Sequence, residues 1–338
     1  MSHNDLSMIQ RRTLLQGAAA LAGVHLVSGA HAQAGKDHWP SKPIKLIVPY
    51  NAGGATDILA RAFGEGLSKR LGQPIIVDNR PGASGIVGTD AVAKAVPDGH
   101  TLLMSLSSSM LVNQYLFTKL PYHPIKDIAL VSQVSTAPVV LAVHPSVPVK
   151  NMKELLAYAK ANRGKLSYGS YGVGSYAHLA GAYISKITNS DMNHAAYKGE
   201  SQAIQELISG QYQFGFLSAQ NVKPHADTGR IKAIAVTGRQ RMVVMPDVPT
   251  IYEQGVQDDA FSVVGWIAMG APAGVSKDII TQLYAHLLEV SKDPKVQERI
   301  TGAGFAPLMS TPDQFRENYQ RDMPVWKALV ETAGAKLD

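Results

Sequence analysis

Residues 44–48, Ile-Lys-Leu-Ile-Val, form a short apolar run that passes through a Gly-rich stretch, Pro49 to Thr56, into a helical pattern. In that pattern, over 57–71, Ile58, Leu59, Ala62, Phe63 and Leu67 share one face. A strand that is almost wholly apolar must be covered on both sides. A helix that follows it after a short loop returns the chain to begin a parallel neighbour. The same rhythm recurs. Residues 75–77 read as a strand, 79–85 as a second Gly-rich loop, 86–95 as a helix ending at Pro97-Asp98-Gly99, and 101–106 as a third strand. This order predicts a parallel sheet with crossover helices.

A second set of units comes next, with strands at 138–143, 167–169, 212–217 and 231–237 and helices at 152–162, 176–186 and 203–209. A strand at 261–268 turns back toward the first set, and three helices, 277–291, 294–302 and 312–332, close the chain. The expected architecture is α/β, with two lobes joined by crossing strands and a cleft between them. Residues 33–136 and 262–338 form the first lobe and 137–261 the second.

Three loops can carry a ligand. The first, Tyr50, Asn51, Gly53, Gly54, Ala55, Thr56 and Asp57, lies where a buried strand gives way to a helix. In open α/β sheets ligands collect beyond the carboxyl ends of strands, and a helix start offers unpaired N–H groups to an anion. The alternative is a tight turn in which Thr56 or Asp57 caps the helix. The second loop, Ser170, Tyr171, Gly174 and Ser175, has the same placement and can form a nest of N–H and O–H donors. The third, residues 79–85, contributes Ser84, and its Gly82, Gly85 and Gly88 do not have the dinucleotide spacing. Lys198 reads equally as an anion partner or a solvated turn lysine. His178, His194 and His225 lack metal-like spacing, and His178 reads as a packed helix histidine.

Composition excludes other classes. There is no cysteine, so disulfides and thiolate chemistry are ruled out. The net charge of +6 is dispersed, and the pairs Lys69-Arg70 and Arg239-Arg241 are too short for a nucleic-acid stripe. No Walker sequence, HExxH or G-x-S-x-G is present, so no cofactor or metal is expected. The N-terminus reads as an export signal over residues 1–32, of twin-arginine type or a general-secretory signal that happens to hold two arginines: Arg11-Arg12 in a twin-arginine-like pattern, a weak apolar run over 14–27, and Ala30-His31-Ala32 as the cleavage pattern. Cleavage after Ala32 would release a soluble periplasmic protein, expected to be monomeric, beginning at Gln33.

Several stretches, in order along nearly the whole mature chain, resemble the Bug family, the extracytoplasmic receptors of tripartite tricarboxylate transporters. They are residues 49–57 (P-x-x-x-G-G-x-x-D), 79–85, 97–103 and 168–179, then Tyr197-Lys198-Gly199, Pro246-Asp247-Val248-Pro249-Thr250 and Gly265-Trp266. The resemblance implies a type II periplasmic-binding-protein fold. It implies a small organic carboxylate held by the loops at 50–57 and 170–175 through amides, hydroxyls and bridging water, and membrane transporter subunits as partners. The chain departs from the family after the strand at 212–217. An acidic residue often stands there, whereas this chain has Leu217-Ser218-Ala219, which predicts a more anionic or less aminated far end of the ligand near Ser218. Two other functions fit the same cleft: a sensor that presents its ligand-closed form to a membrane kinase, and a hydrolase, for which no nucleophile motif is found.

Overall fold

The computed structural model describes residues 39–197 and 199–337. Residues 1–32, with the expected signal and its cleavage site, and Lys198 lie outside the described residues. Lys42–Asp338 forms one compact unit.

The first apolar run becomes β1 (Ile44–Val48), buried except at Lys45. Helix α1 (Ala55–Leu71) buries Leu59, Ala60, Phe63 and Leu67 and stops at Gly72, whose left-handed backbone (φ 67°) lets its N–H reach the Ser68 carbonyl. Strand β2 (Ile75–Asn79) pairs parallel to β1. After α2 (Ile86–Ala93), β3 (Thr101–Leu106) pairs parallel to β1 on its other side. A π-helical turn (Ser108–Val112) and a short helix α3 (Asn113–Leu116) come next, and β4 (Ile128–Ala137) ends this pass.

The chain then enters a second sheet as β5 (Val140–Val143). It continues through α4 (Met152–Ala161), β6 (Ser167–Ser170), α5 (Tyr176–Thr188) and β7 (Asn193–Ala196). Next come α6 (Glu200–Ile208), β8 (Phe214–Leu217), α7 (Ala219–Ala226) and β9 (Lys232–Val236). After the single turn α8 (Asp259–Ser262), β10 (Gly265–Pro272) returns to the first sheet. Helices α9 (Lys277–Ser291) and α10 (Pro294–Gly302), the two-residue β11 (Ala306–Pro307) and α11 (Pro312–Ala333) complete the chain. The first sheet runs β11-β4-β10-β3-β1-β2 and the second β7-β6-β8-β5-β9. This is the two-lobed α/β fold expected from the sequence.

The two passages between sheets lie side by side. Val139 N–H donates to Thr237 Oγ1 (2.9 Å), and Thr237 N–H donates to the Val139 carbonyl (2.9 Å). Helix α11 packs against the first sheet and against α5: Phe315 sits edge-on to Trp266 at 5.0 Å, and Trp326 edge-on to Tyr176 at 5.8 Å. One apolar core therefore runs from Leu103 and Trp266 to Leu141 and Phe216.

Several elements differ from the sequence reading, and three show the physical reason. β4 was not expected, because its buried face carries Ser132, Gln133 and Ser135 in place of apolar residues. Two of these are satisfied at a distance, Ser132 Oγ donating to the Ser310 carbonyl (2.8 Å) and Gln133 N–H to Ser310 Oγ (2.9 Å). The strand expected at 261–268 begins later, at Gly265. Asp258 caps a helical turn first, its side chain accepting from Ala260 N–H. α7 was also unexpected, because Pro224 inside it masks the helical pattern.

Candidate functional site

β1 and β3 run parallel and end at the same edge of their sheet, and β6, β7 and β8 do so in theirs. The sequence-predicted residues other than Lys198 gather at these two edges.

In the first lobe Asn51, Gly53 and Gly54 are exposed at the end of β1. α1 starts at Ala55 with Gly54 as its N-cap and no side chain closing it. The N–H groups of Ala55, Thr56 and Asp57 therefore have no partner within the helix, at the positive end of the dipole of a 17-residue helix. Gly53 adopts φ 83°, which favours glycine, and a side chain there would meet nothing within 4 Å. Its N–H is already committed to Asp57 Oδ2 (2.9 Å). Asp57 faces inward. Its carboxylate also accepts from Arg61 Nε (3.0 Å) and Asn79 Nδ2 (3.0 Å), and Asn79 holds the Tyr50 carbonyl as well (3.1 Å). Burial pushes the Asp57 pKa up, but the bonds from Arg61, Gly53 and Asn79 together outweigh it and hold the carboxyl below 3.8. Asp57 braces the loop, and the open N–H groups come from Ala55, Thr56 and Asp57.

In the second lobe the donors expected at Ser170, Gly174 and Ser175 already have partners. Ser175 caps α5, accepting from His178 N–H, and its hydroxyl donates to the Gly172 carbonyl (2.7 Å). Gly174 N–H donates to His178 Nδ1 (3.1 Å). Ser170 Oγ is buried, 2.7 Å from His194 Nε2. The imidazoles of His178 and His194 stack with ring centres 4.0 Å apart, and Tyr168 stacks on His194 at 5.0 Å. Burial pushes both histidines down, His194 to about 4 with help from His178, so the stack is neutral near pH 7. Tyr171 is partly buried against the core, and burial together with the Glu200 charge holds its phenol protonated. The Ser170–His194 contact is not arranged as a nucleophile and base. The serine is fully buried, the imidazole is a weak base, and no carboxylate orients it among the described residues.

The sequence reading missed the segment that joins these loops. Tyr50 Oη lies 3.0 Å from Ser108 Oγ, and Asn113 Nδ2 donates to the Ser84 carbonyl (3.1 Å). A side chain on Gly174 would come within 2.6 Å of Leu116. Residues 105–116, at the carboxyl end of β3, thus touch all three predicted loops. Behind them the hydroxyls of Ser105, Ser109 and Thr89 form a buried chain. The signal was available, since Ser105, Ser107, Ser108 and Ser109 lie at the end of a strand the sequence did indicate.

Ser218 sits at the end of β8, beside β6. The strand end itself carries no acid, as read from the sequence, but an acid from another element stands beside it. Glu200, the first residue of α6, reaches across, and one of its oxygens accepts from Ser218 N–H (3.3 Å), the Ser218 hydroxyl and Asn221 Nδ2 (2.6 Å). Elsewhere, a cavity of about 630 Å³ lies where the inter-sheet passages run and contains none of the predicted residues. Its Arg241 is spent on Glu253 and its Arg321 on Asp322. Among the described residues no group of side chains could hold a metal ion, and no helix is long and apolar enough to cross a membrane.

Two α/β lobes with loops at the carboxyl ends of parallel strands, one of them opening on an uncapped helix start, have the organisation of a solute-binding protein. Residues 59–335 match the model of the tripartite tricarboxylate transporter family receptor, and the chain belongs to that family. It is 35% identical over 320 residues to protein BugT of Bordetella pertussis strain Tohama I, covering 94% of this chain and 98% of that one. Its fold matches an R. palustris protein solved with adipate (TM-score 0.76, 29% identity, 88% of this chain and 100% of the other). It also matches MatC from Rhodopseudomonas palustris with bound malate (TM-score 0.72, 29% identity, 86% and 100%).

Proposed function

We propose that this receptor is exported to the periplasm, loses residues 1–32 after Ala32, and captures a small carboxylate for the membrane subunits of a tripartite transporter. The lobes would be 33–136 with 262–338, and 137–261. The ligand would lie between the loops at 50–57 and 170–175, with the segment 105–116 as the third wall. The observation that carries this reading is the open start of α1. Three N–H groups at the end of a long helix, next to two exposed glycines, suit a carboxylate and need no arginine clamp. The adipate and malate of the two R. palustris proteins give the same ligand class.

The test is a calorimetric screen of adipate, malate and other short carboxylates, repeated with Ala55→Asp. An aspartate at the first position of α1 favours the helix by about 0.3–1 kcal/mol, so the variant folds. Its charge occupies the place proposed for the ligand's. Loss of binding in a protein of unchanged or raised melting temperature supports the assignment. Retained wild-type affinity for a carboxylate that binds would place the ligand elsewhere.

A further inference from the structure

Three neighbouring parallel strands of the second sheet end together at the proposed ligand edge. β6 delivers the loop at 170–175, β8 delivers Ser218, and β7, in register with β6 through Ser170 and Ala196, leads within four residues to Glu200. Glu200 is partly exposed. One carboxylate oxygen is fixed by the Ser218 N–H and hydroxyl and by Asn221, while Oε1 has no hydrogen bond to the described residues. No cation is paired with it among the described residues. Its charge reaches Tyr171 in the ligand loop and Tyr212 beneath it, raising both phenols after burial has already done so.

Three neutral donors position a carboxylate without supplying a counter-charge, so a second carboxylate brought to it would be repelled. We propose that Glu200 determines specificity at the far end of the ligand, selecting an acid whose other end carries an ammonium or hydroxyl donor over a dicarboxylate of the same length. This rests on the carboxylate reading of the site. It predicts that this chain disfavours adipate, the molecule with which one R. palustris relative was solved.

The test uses chain-matched pairs: succinate with γ-aminobutyrate, glutarate with δ-aminovalerate, and adipate with ε-aminocaproate. Each is titrated by calorimetry into the purified protein and into Glu200→Gln. The glutamine keeps an oxygen for Ser218 and Asn221 but removes the charge, so folding is preserved; Glu200→Ala with a melting curve checks the tie between α6 and α7. At the best-bound length the wild type should favour the amino acid by about tenfold or more, and Glu200→Gln should bring the pair within about threefold. A wild-type preference for the dicarboxylate, or an unchanged ratio in Glu200→Gln, would overturn the proposal and leave Glu200 a structural tie. If no member of any pair binds, the carboxylate reading fails first, and this proposal with it.

Discussion

The loops at 50–57 and 170–175 share one plan, strand to loop to helix, yet are held in opposite ways. The first is braced by a charge: Asp57 is buried, paired with Arg61 and tied to Gly53 and Asn79. The second is braced by a neutral stack, His178 on His194 on Tyr168. The first leaves its helix start open, and the second closes its own with Ser175. Because the carboxylate of Asp57 lies inside the loop, the dipole of α1 remains available to an outside anion. The second loop has spent its donors on its own geometry, so its contribution is a fixed shape. In the proposed site the same topology would therefore give an electrostatic seat in one lobe and a rigid wall in the other.

The largest effect should come from reversing the seat. Ala55→Asp is expected to weaken carboxylate binding by about 100-fold or more, from the repulsion of two charges a few ångströms apart. The charge-matched change on the wall, Val173→Asp at an exposed position of the second loop, should cost much less. Equal losses from the two variants, measured by calorimetry, would erase the distinction.

The next effect is on stability. Asp57→Asn removes a buried charge with several donors and is expected to cost about 2–3 kcal/mol in urea unfolding, while His178→Asn should cost less. A smaller cost for Asp57→Asn than for the histidine variant would mean that the charged brace is not the stronger one.

Acid should separate the two braces. Both histidines are depressed in the folded state, so the unfolded chain takes up their protons first. The contribution of His194 is complete above about pH 6.5 and is lost as pH falls through about 4, and that of His178 is lost in the same direction. Asp57 is also depressed, so its contribution stands above 3.8 and is lost only below that. Urea midpoints followed from about pH 7 to about pH 3 should lose the upper limb in His194→Gln and the lower limb in Asp57→Asn. A single limb insensitive to both variants would contradict the assignment. The smallest effect is expected for Ser175→Ala, which removes the cap of α5 at about 1 kcal/mol and, if the second loop is a wall, changes affinity severalfold at most. A loss as large as that of Ala55→Asp would make Ser175 a direct ligand contact.

Much of this molecule was legible in the chain. Apolar runs such as 44–48 and 101–106, and helical faces such as Leu59, Phe63 and Leu67, are local periodicities that one strand or helix expresses on its own. Gly53, Gly54 and Ser175 marked strand-to-helix loops because glycine and serine have short-range backbone roles. β4 was hidden because its buried Ser132 and Gln133 are satisfied by Ser310, far along the chain, and no local pattern records such a partner. Tertiary structure alone decided that Asp57 turns inward, that His178 and His194 meet, and that Glu200 occupies the place beside Ser218. Each depends on strands adjacent in the sheet but separated in the sequence. Spacing and periodicity fix what a segment can become, whereas hydrogen bonding and charge between segments depend on which strand ends the fold brings together.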